Sequence, residues 1–383
     1  MSETEGYWRI RALQEAVYGA GDPTRNEALF QRLLEAVPRP GKPSTPSSAP
    51  LPDRDRPLGP NTTRLSVETT ICMKAVPTGI YPLFSEATDP LLKVTVRNSD
   101  PVETKRVRVK AYIEGLSARA VRTVELGPGE EVVLPLLPTL LTARAREVTE
   151  IQWATLHVVA ADLDGKQERH DTYPLLCLAR SSGFNLGIRD EATGAIDDLS
   201  RYYGAWVTPS VEAVQERIRR AAALRPEGRI EGYMDGDDGP ISVTPQVEAL
   251  FKSLAEAGIA YVNSVIAYGA PPGIFMQRTR LPRETLAAKS GNCLDGTVLM
   301  ASLLEGASLH PAIVLVPGHA LVAWEAAPDT GKWSFLETTM IGTASFEAAC
   351  LSGKKQHEGW QKRALIRIHP IADLRRAQIW PME

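Results

Sequence analysis

Residues 38–60 hold eight prolines in 23 positions, with glycine, serine and threonine between them. No helix interior and no central strand can run through such a stretch, because proline lacks the amide proton and fixes φ. The chain therefore divides into a short N-terminal piece (1–37), a Pro-rich linker (38–61) and a long remainder. The N-terminal piece reads as two short helices. Ile10, Leu13 and Val17 recur at helical spacing, Asp22-Pro23 gives a cap and a first-turn proline, and Leu29, Phe30, Leu33 and Leu34 share one face. A helical arm this small cannot bury a core alone. It is expected to dock on its own chain, on a second copy or on a partner protein.

Lys and Arg total 43 against 46 Asp and Glu, a net charge of −3, so no global attraction to nucleic acid or membrane is expected. No apolar run reaches the ~18 residues of a spanning helix, and the acidic start (Ser2, Glu3, Thr4, Glu5) is unlike a secretory leader. The expected location is the cytoplasm. The four cysteines, at 72, 177, 293 and 350, are too scattered for a disulfide scaffold and form no Cys-x-x-Cys zinc pair.

Residues 62–180 predict an all-β domain. Along Arg106–Ile113, Val107, Val109, Ala111 and Ile113 alternate with Arg106, Arg108, Lys110 and Tyr112, the pattern of a half-buried strand. Further strands are expected at Leu65–Cys72, Leu92–Arg97, Val121–Leu126, Val132–Leu137, Ile151–Ala161 and Thr172–Ala179, with a hairpin turn at Asp162–Gly165. Short strands separated by turns suggest an immunoglobulin-like β-sandwich. Cys72 and Cys177 lie in its apolar strands and are expected in its core.

Residues 181–383 mix helix and strand, which makes the chain α+β. Thr208-Pro209 and Thr244-Pro245 each read as a cap plus a first-turn proline, opening helices near 210–224 and 245–257, with Gly258 stopping the second. Asp235-Gly236-Asp237-Asp238-Gly239 lacks the spacing and closing glutamate of an EF-hand loop and reads as a bare turn.

The chemistry-bearing stretch is Ser290–Thr339. Asn292 is a candidate cap with Asp295 as its reciprocal partner, which places Cys293 at the first position of an apolar helix. Unpaired N–H groups and the helix dipole stabilise a thiolate there. Gly291 is expected to let a substrate backbone approach. A Pro317-Gly318 turn then delivers His319 to a strand. If 319–325 and 333–337 form a hairpin, His319 and Glu337, both odd-numbered, share one face. A carboxylate beside a histidine fixes its tautomer and supports its charge, and the histidine can then activate the cysteine. Trp324 and Trp333 are candidates for core packing or for walls of the site. His310 reads as a loop residue, and Cys350 as a structural residue on a short helix.

These elements resemble the transglutaminase-like (papain-like) cysteine hydrolase superfamily in its bacterial form. That family carries a Gly-x-Cys helix, a Gly-His-Ala strand and a Trp-x-x-x-Asp-x-Thr strand end. The matching elements are Gly291-Asn292-Cys293, Gly318-His319-Ala320 and Trp333 to Thr339, with Glu337 where the family has Asp. The segment Gln277–Pro282 is similar to the family's approach to the nucleophile helix. The close match covers about 65 residues, and a looser one runs from about Tyr203 to the C-terminus. The resemblance implies a papain/transglutaminase-like catalytic domain over 181–383, with a Cys293–His319–Glu337 triad and Gln277 as a candidate oxyanion donor. It implies attack on an amide carbonyl of a protein or peptide, without metal or cofactor. Peptidase is the first expectation. Amine transfer or deamidation would use the same thioester, and the sequence does not separate them. The alternatives are a degenerate scaffold whose sandwich and arm carry the function, or an effector in a bacterial conflict system.

Overall fold

The computed structural model describes residues 64–383 apart from 74, 166, 190–195, 237–238, 241 and 264–273. The expected arm (1–37) and linker (38–61) lie outside the described residues. Mixed α and β structure with several sheets is observed, as the residue patterns predict.

The first half is built from β1 (Leu65–Ile71), β2 (Ala75–Pro77), β3 (Leu92–Asn98), β4 (Lys105–Ile113), β5 (Ala120–Leu126), β6 (Glu131–Leu136), the short helix α1 (Thr142–Glu147), β7 (Gln152–Asp162) and β8 (Gln167–Leu178). A three-stranded sheet has the order β1-β3-β6, and a five-stranded sheet the order β2-β8-β7-β4-β5. Every pairing is antiparallel except β2 with β8. Val67, Val94, Val96 and Leu134 of the first sheet share one core with Val107, Val109, Ala111, Leu156, Val158, Leu175 and Cys177 of the second. Alternation in β4 follows directly, since side chains two apart face the same side. The Asp162–Gly165 turn is held by the Asp162 carboxylate, which accepts from the N–H groups of Asp164 and Gly165 at 3.0 and 2.9 Å.

Cys72 departs from its expected place. β1 ends at Ile71, the chain bends, and Cys72 is exposed while Cys177 is buried. The alternation of β1 carries on through the cysteine: Leu65 and Val67 face inward, and the even positions 66, 68, 70 and 72 face out.

The second half contains β9 (Ser182–Arg189), β10 (Ile196–Asp198), α2 (Glu212–Ala223), α3 (Thr244–Glu256), β11 (Ala260–Tyr261), β12 (Ile274–Arg278), α4 (Pro282–Ala288), β13 (Ser290–Gly291), α5 (Cys293–Gly306), β14 (Pro311–Val316), β15 (His319–Glu325), β16 (Trp333–Leu336), α6 (Phe346–Gln361), β17 (Arg367–Pro370) and α7 (Ile371–Arg376). The two expected helix caps are corrected. Val211 and Val243 occupy the N-cap positions without side-chain caps, Thr208 lies upstream of α2, and Thr244 is already helical. Gly258 does take the left-handed conformation (φ +73°) just past α3. Asp235–Gly236 pairs antiparallel with Gly239–Pro240, and the two residues between them lie outside the described residues. No helix among the described residues is long and apolar enough to cross a membrane.

The four-stranded antiparallel sheet β16-β15-β14-β17 is the frame of this half. Helix α5 is apolar nearly all round, and every residue from Cys293 to Leu304 is buried. It shares a core with Ile313, Leu315, Ala320, Val322, Trp324 and Leu336 of the sheet. A helix with no polar stripe has no face to give to water and becomes the centre of the core. Trp324 is thus a core residue packed near Phe346, and Trp333 lies with Ile366 and Ile368 in a second small cluster.

Strand β8 belongs to both halves. Leu175 and Cys177 enter the core of the paired sheets, while Leu176 and Leu178 enter the core around α5. The unbroken apolar run Leu175–Leu178 is the signature of a strand buried on both faces. Across the same junction Arg180 pairs with Glu284, and Arg278 lies 3.4 Å from Glu150.

Candidate active site

The nucleophile position is built locally. Asn292 caps α5, its side-chain oxygen accepting from the N–H groups of Leu294 and Asp295, each at 2.9 Å. Asp295 returns the bond by accepting from the Asn292 N–H at 3.1 Å. Cys293 is therefore the first helical residue, as the capping pattern predicts, and it is buried. Such a cap contributes about 1 kcal/mol. The second Asp295 oxygen accepts from the Arg280 N–H at 2.7 Å, and the Asn292 amide donates to the Arg278 carbonyl at 3.2 Å. Trp206 anchors the same segment by donating to the Thr279 carbonyl at 3.1 Å. One cap thus positions both the cysteine and the chain that approaches it.

Gly291 is constrained by packing within the protein. A Cβ there would lie 2.8 Å from the Asp295 Cβ and 3.1 Å from the Thr285 methyl. The absent side chain makes room for the capping aspartate, so Gly291 is required by packing within the protein.

The Pro317-Gly318 turn joins β14 to β15, with Gly318 at φ +71°, the conformation a type II turn demands at that position. His319 opens β15 directly after it. The pairing of β15 with β16 runs from Glu325↔Trp333 to Val322↔Leu336. One further step would set Leu321 opposite Glu337, so His319 stands two residues along the same face, a diagonal neighbour. The extra methylene of glutamate relative to aspartate serves that diagonal. His319 Nε2 donates to Glu337 Oε2 at 2.6 Å. The other glutamate oxygen accepts from the Thr339 hydroxyl at 2.6 Å and from the Thr339 N–H at 3.1 Å. Glu337 is buried, and its own N–H donates to the Ala349 carbonyl of α6 at 3.1 Å.

Three sequence-distant groups converge here. His319 bonds Glu337 and lies close enough to Cys293 to interact with it electrostatically. Burial opposes charge on the imidazole, but the interaction with Cys293, the bond to Glu337 and the charges of both outweigh it and raise the His319 pKa to about 10. Burial likewise opposes charge on Glu337, and the bonds from His319 and Thr339 hold its pKa below the ordinary value. Glu337 on one ring nitrogen and Cys293 beside the ring form an arrangement suited to nucleophilic catalysis. Helix α5 and the sheet end are tied further by the Thr338 hydroxyl, which donates to the Cys293 carbonyl at 3.4 Å.

Gln277 lies on β12 opposite Gly183, half-buried and one residue before the Arg278 carbonyl that receives Asn292. His310 is held at the far end of β15 from His319. Its Nδ1 lies 3.1 Å from Glu325 Oε2, and the Glu325 carboxylate also accepts from Gly331 and Asp329 N–H groups at 2.7 and 3.1 Å. His310, Glu325 and Asp329 have the donor atoms and proximity for a metal ion. Glu325 is nevertheless engaged by the hairpin turn it closes. Cys350 lies on α6, a helix of 16 residues, and is half-buried. Among functional residues, the sequence reading missed Thr339 as the anchor of Glu337. Its place two residues after the acid, in the matched motif, was the available signal.

No protein-family model matches the chain, and no curated protein matches its sequence.

Proposed function

We propose that the chain is a cysteine-dependent amide hydrolase, and foremost a peptidase, built on a papain/transglutaminase-like domain with an immunoglobulin-like sandwich before it. The single observation that carries this reading is the arrangement at His319. The ring lies beside the first-turn Cys293 and is held by buried Glu337 at 2.6 Å.

In this reading the Cys293 proton passes to His319, and the thiolate attacks the carbonyl carbon of the scissile amide. The carbonyl electrons move onto oxygen, where the Cys293 N–H and the Gln277 amide are the candidate donors. Collapse of that intermediate expels the amine, which takes its proton from the His319 imidazolium, and leaves a thioester. Water, giving a proton to His319, then attacks the thioester and releases the carboxylic acid and the thiol. Glu337 supports the imidazolium through both halves of the cycle. An amine in place of water would give transfer instead.

The test is intact-mass detection of a single covalent adduct with a carbonyl electrophile. Wild type should take up one equivalent, Cys293→Ala none, and His319→Ala at a small fraction of the wild-type rate. Equal labelling of Cys293→Ala, or an undiminished rate in His319→Ala, would refute the assignment.

A further inference from the structure

Among the described residues, the exposed strand beside Cys293 has an unpaired edge. β11 pairs in parallel with β13, Ala260 opposite Ser290 and Tyr261 opposite Gly291. The Ala260 N–H donates to the Lys289 carbonyl and the Val262 N–H to the Gly291 carbonyl, both at 2.9 Å. In a parallel ladder alternate residues face the neighbouring strand, so the Tyr261 N–H and C=O point the other way. They have no hydrogen-bond partner among the described residues. Residues 260–263 are all exposed, and Tyr261 and Val262 show 45% and 47% of their surfaces. An open edge carrying exposed apolar side chains is a template for an added strand.

Its position argues for what that strand is. β13 runs straight into Asn292 and Cys293, so Tyr261 pairs two residues from the nucleophile. Tyr261, Gly291, Asn292, Gly296 and Thr338 line one small hollow. Burial, then the charges of Cys293 and Glu337, raise the pKa of the Tyr261 phenol, which places it within electrostatic reach of both.

We propose that the β11 edge is the rail on which an extended polypeptide substrate lies, bonded through its main chain, with Tyr261 contacting the residue next to the scissile amide. A strand edge recognises main-chain N–H and C=O groups. The substrate class is therefore an extended peptide cleaved at its backbone, not a free amino acid or a side-chain carboxamide. This rests on the reading of Cys293 as nucleophile.

The test compares a set of tripeptidyl chloromethyl ketones with chloroacetone, which carries the same reactive group without the peptide. Both form a thioether with Cys293 and release chloride. At least one peptidyl reagent should inactivate the full chain faster than chloroacetone. Tyr261→Ala should lower that rate by roughly tenfold or more and change the chloroacetone rate by less than about twofold. Methylating the peptide's main-chain nitrogens should slow wild type comparably, and Tyr261→Phe should keep most of the rate. The inference is overturned if no peptidyl reagent outpaces chloroacetone, or if Tyr261→Ala and N-methylation leave the peptidyl rate intact. It is also overturned if Tyr261→Ala slows both reagents alike, or if light scattering shows a dimer that blocks the peptidyl reagents alone. Failure of chloroacetone to label Cys293 would instead remove the nucleophile reading itself, and the rail with it.

Discussion

The Thr339 hydroxyl lies 2.6 Å from Oε1 of Glu337, on the carboxylate oxygen that His319 does not use. The two oxygens have separate duties: Oε1 fixes the carboxylate to the turn after β16, and Oε2 orients the imidazole. Thr339→Val keeps the shape and removes one anchor. It should lower kcat/KM by roughly 3–10-fold without a change in fold, and Thr339→Ser should restore most of it. Equal activity of the valine and serine variants would show that the hydroxyl does not position the acid.

Removal of the acid should cost more than removal of its anchor. Cys293→Ala should abolish turnover and His319→Ala nearly so. Glu337→Gln keeps an acceptor but loses the charge that supports the imidazolium, and a fall of roughly 10²–10⁴ is expected. Asp329→Asn, whose parent lies in the His310 cluster at the other end of β15, should be silent. A severe Asp329→Asn with a silent Glu337→Gln would reverse the assignment of the acid.

The His319 pKa of about 10 sets a pH window. A histidine raised in the folded state contributes stability that is complete below its ordinary value near 6.5 and is lost as pH rises through the folded value. The wild-type advantage over Glu337→Gln in urea midpoint should shrink between about pH 6.5 and 10. Hydrolysis, which needs the imidazolium as acid, should fall with an alkaline limb near 10 that moves downward in Glu337→Gln. An alkaline limb unmoved by that substitution would break the link between the ring and the carboxylate.

Cys72 is exposed and can compete with Cys293 for a thiol reagent. Burial pushes the Cys177 and Cys350 pKa values up to about 11, and burial also raises that of Cys72 despite nearby Lys93. At pH 7 few of these three are thiolates. Iodoacetamide followed by peptide mapping should find Cys293 modified first, Cys72 slowly and the other two last. Cys72 reacting as fast as Cys293 would count against a tuned nucleophile.

The arm is expected to be a docking handle. Deletion of residues 1–60 should leave a chain that still labels at Cys293 but has lost a partner or its self-association. A large fall in Tm at unchanged light-scattering mass would show the arm packed on its own chain instead.

What the residues disclosed in advance was local or periodic. Asn292 and Asp295 announce their cap within four residues, so the place of Cys293 at a helix start was legible. The hairpin that sets 319–325 beside 333–336 was anticipated, and the alternation in Arg106–Ile113 anticipated its strand. What escaped notice depends on contacts between distant segments. That Gly291 yields its space to Thr285 and Asp295, or that Glu337 hangs from Ala349, follows from how α4 and α6 pack, which no short window encodes. Thr208-Pro209 carried the right cap chemistry, but the helix starts three residues after the proline. The exposure of Cys72 was legible by parity, since it shares the outward positions of Ser66, Glu68 and Thr70.

Strand β8 has a practical consequence for anyone seeking a shorter chain that keeps the candidate site. Because it is apolar toward both neighbours, there is no position near residue 180 at which the polypeptide can be divided cleanly. An excised C-terminal fragment would present to water the cavity vacated by Leu176 and Leu178, and the excised β fragment would present those leucines. Each piece would be sticky in isolation, and mixing the two would be the route to recover a working protein. The paired sheets are thus part of the wall that keeps helix α5 dry.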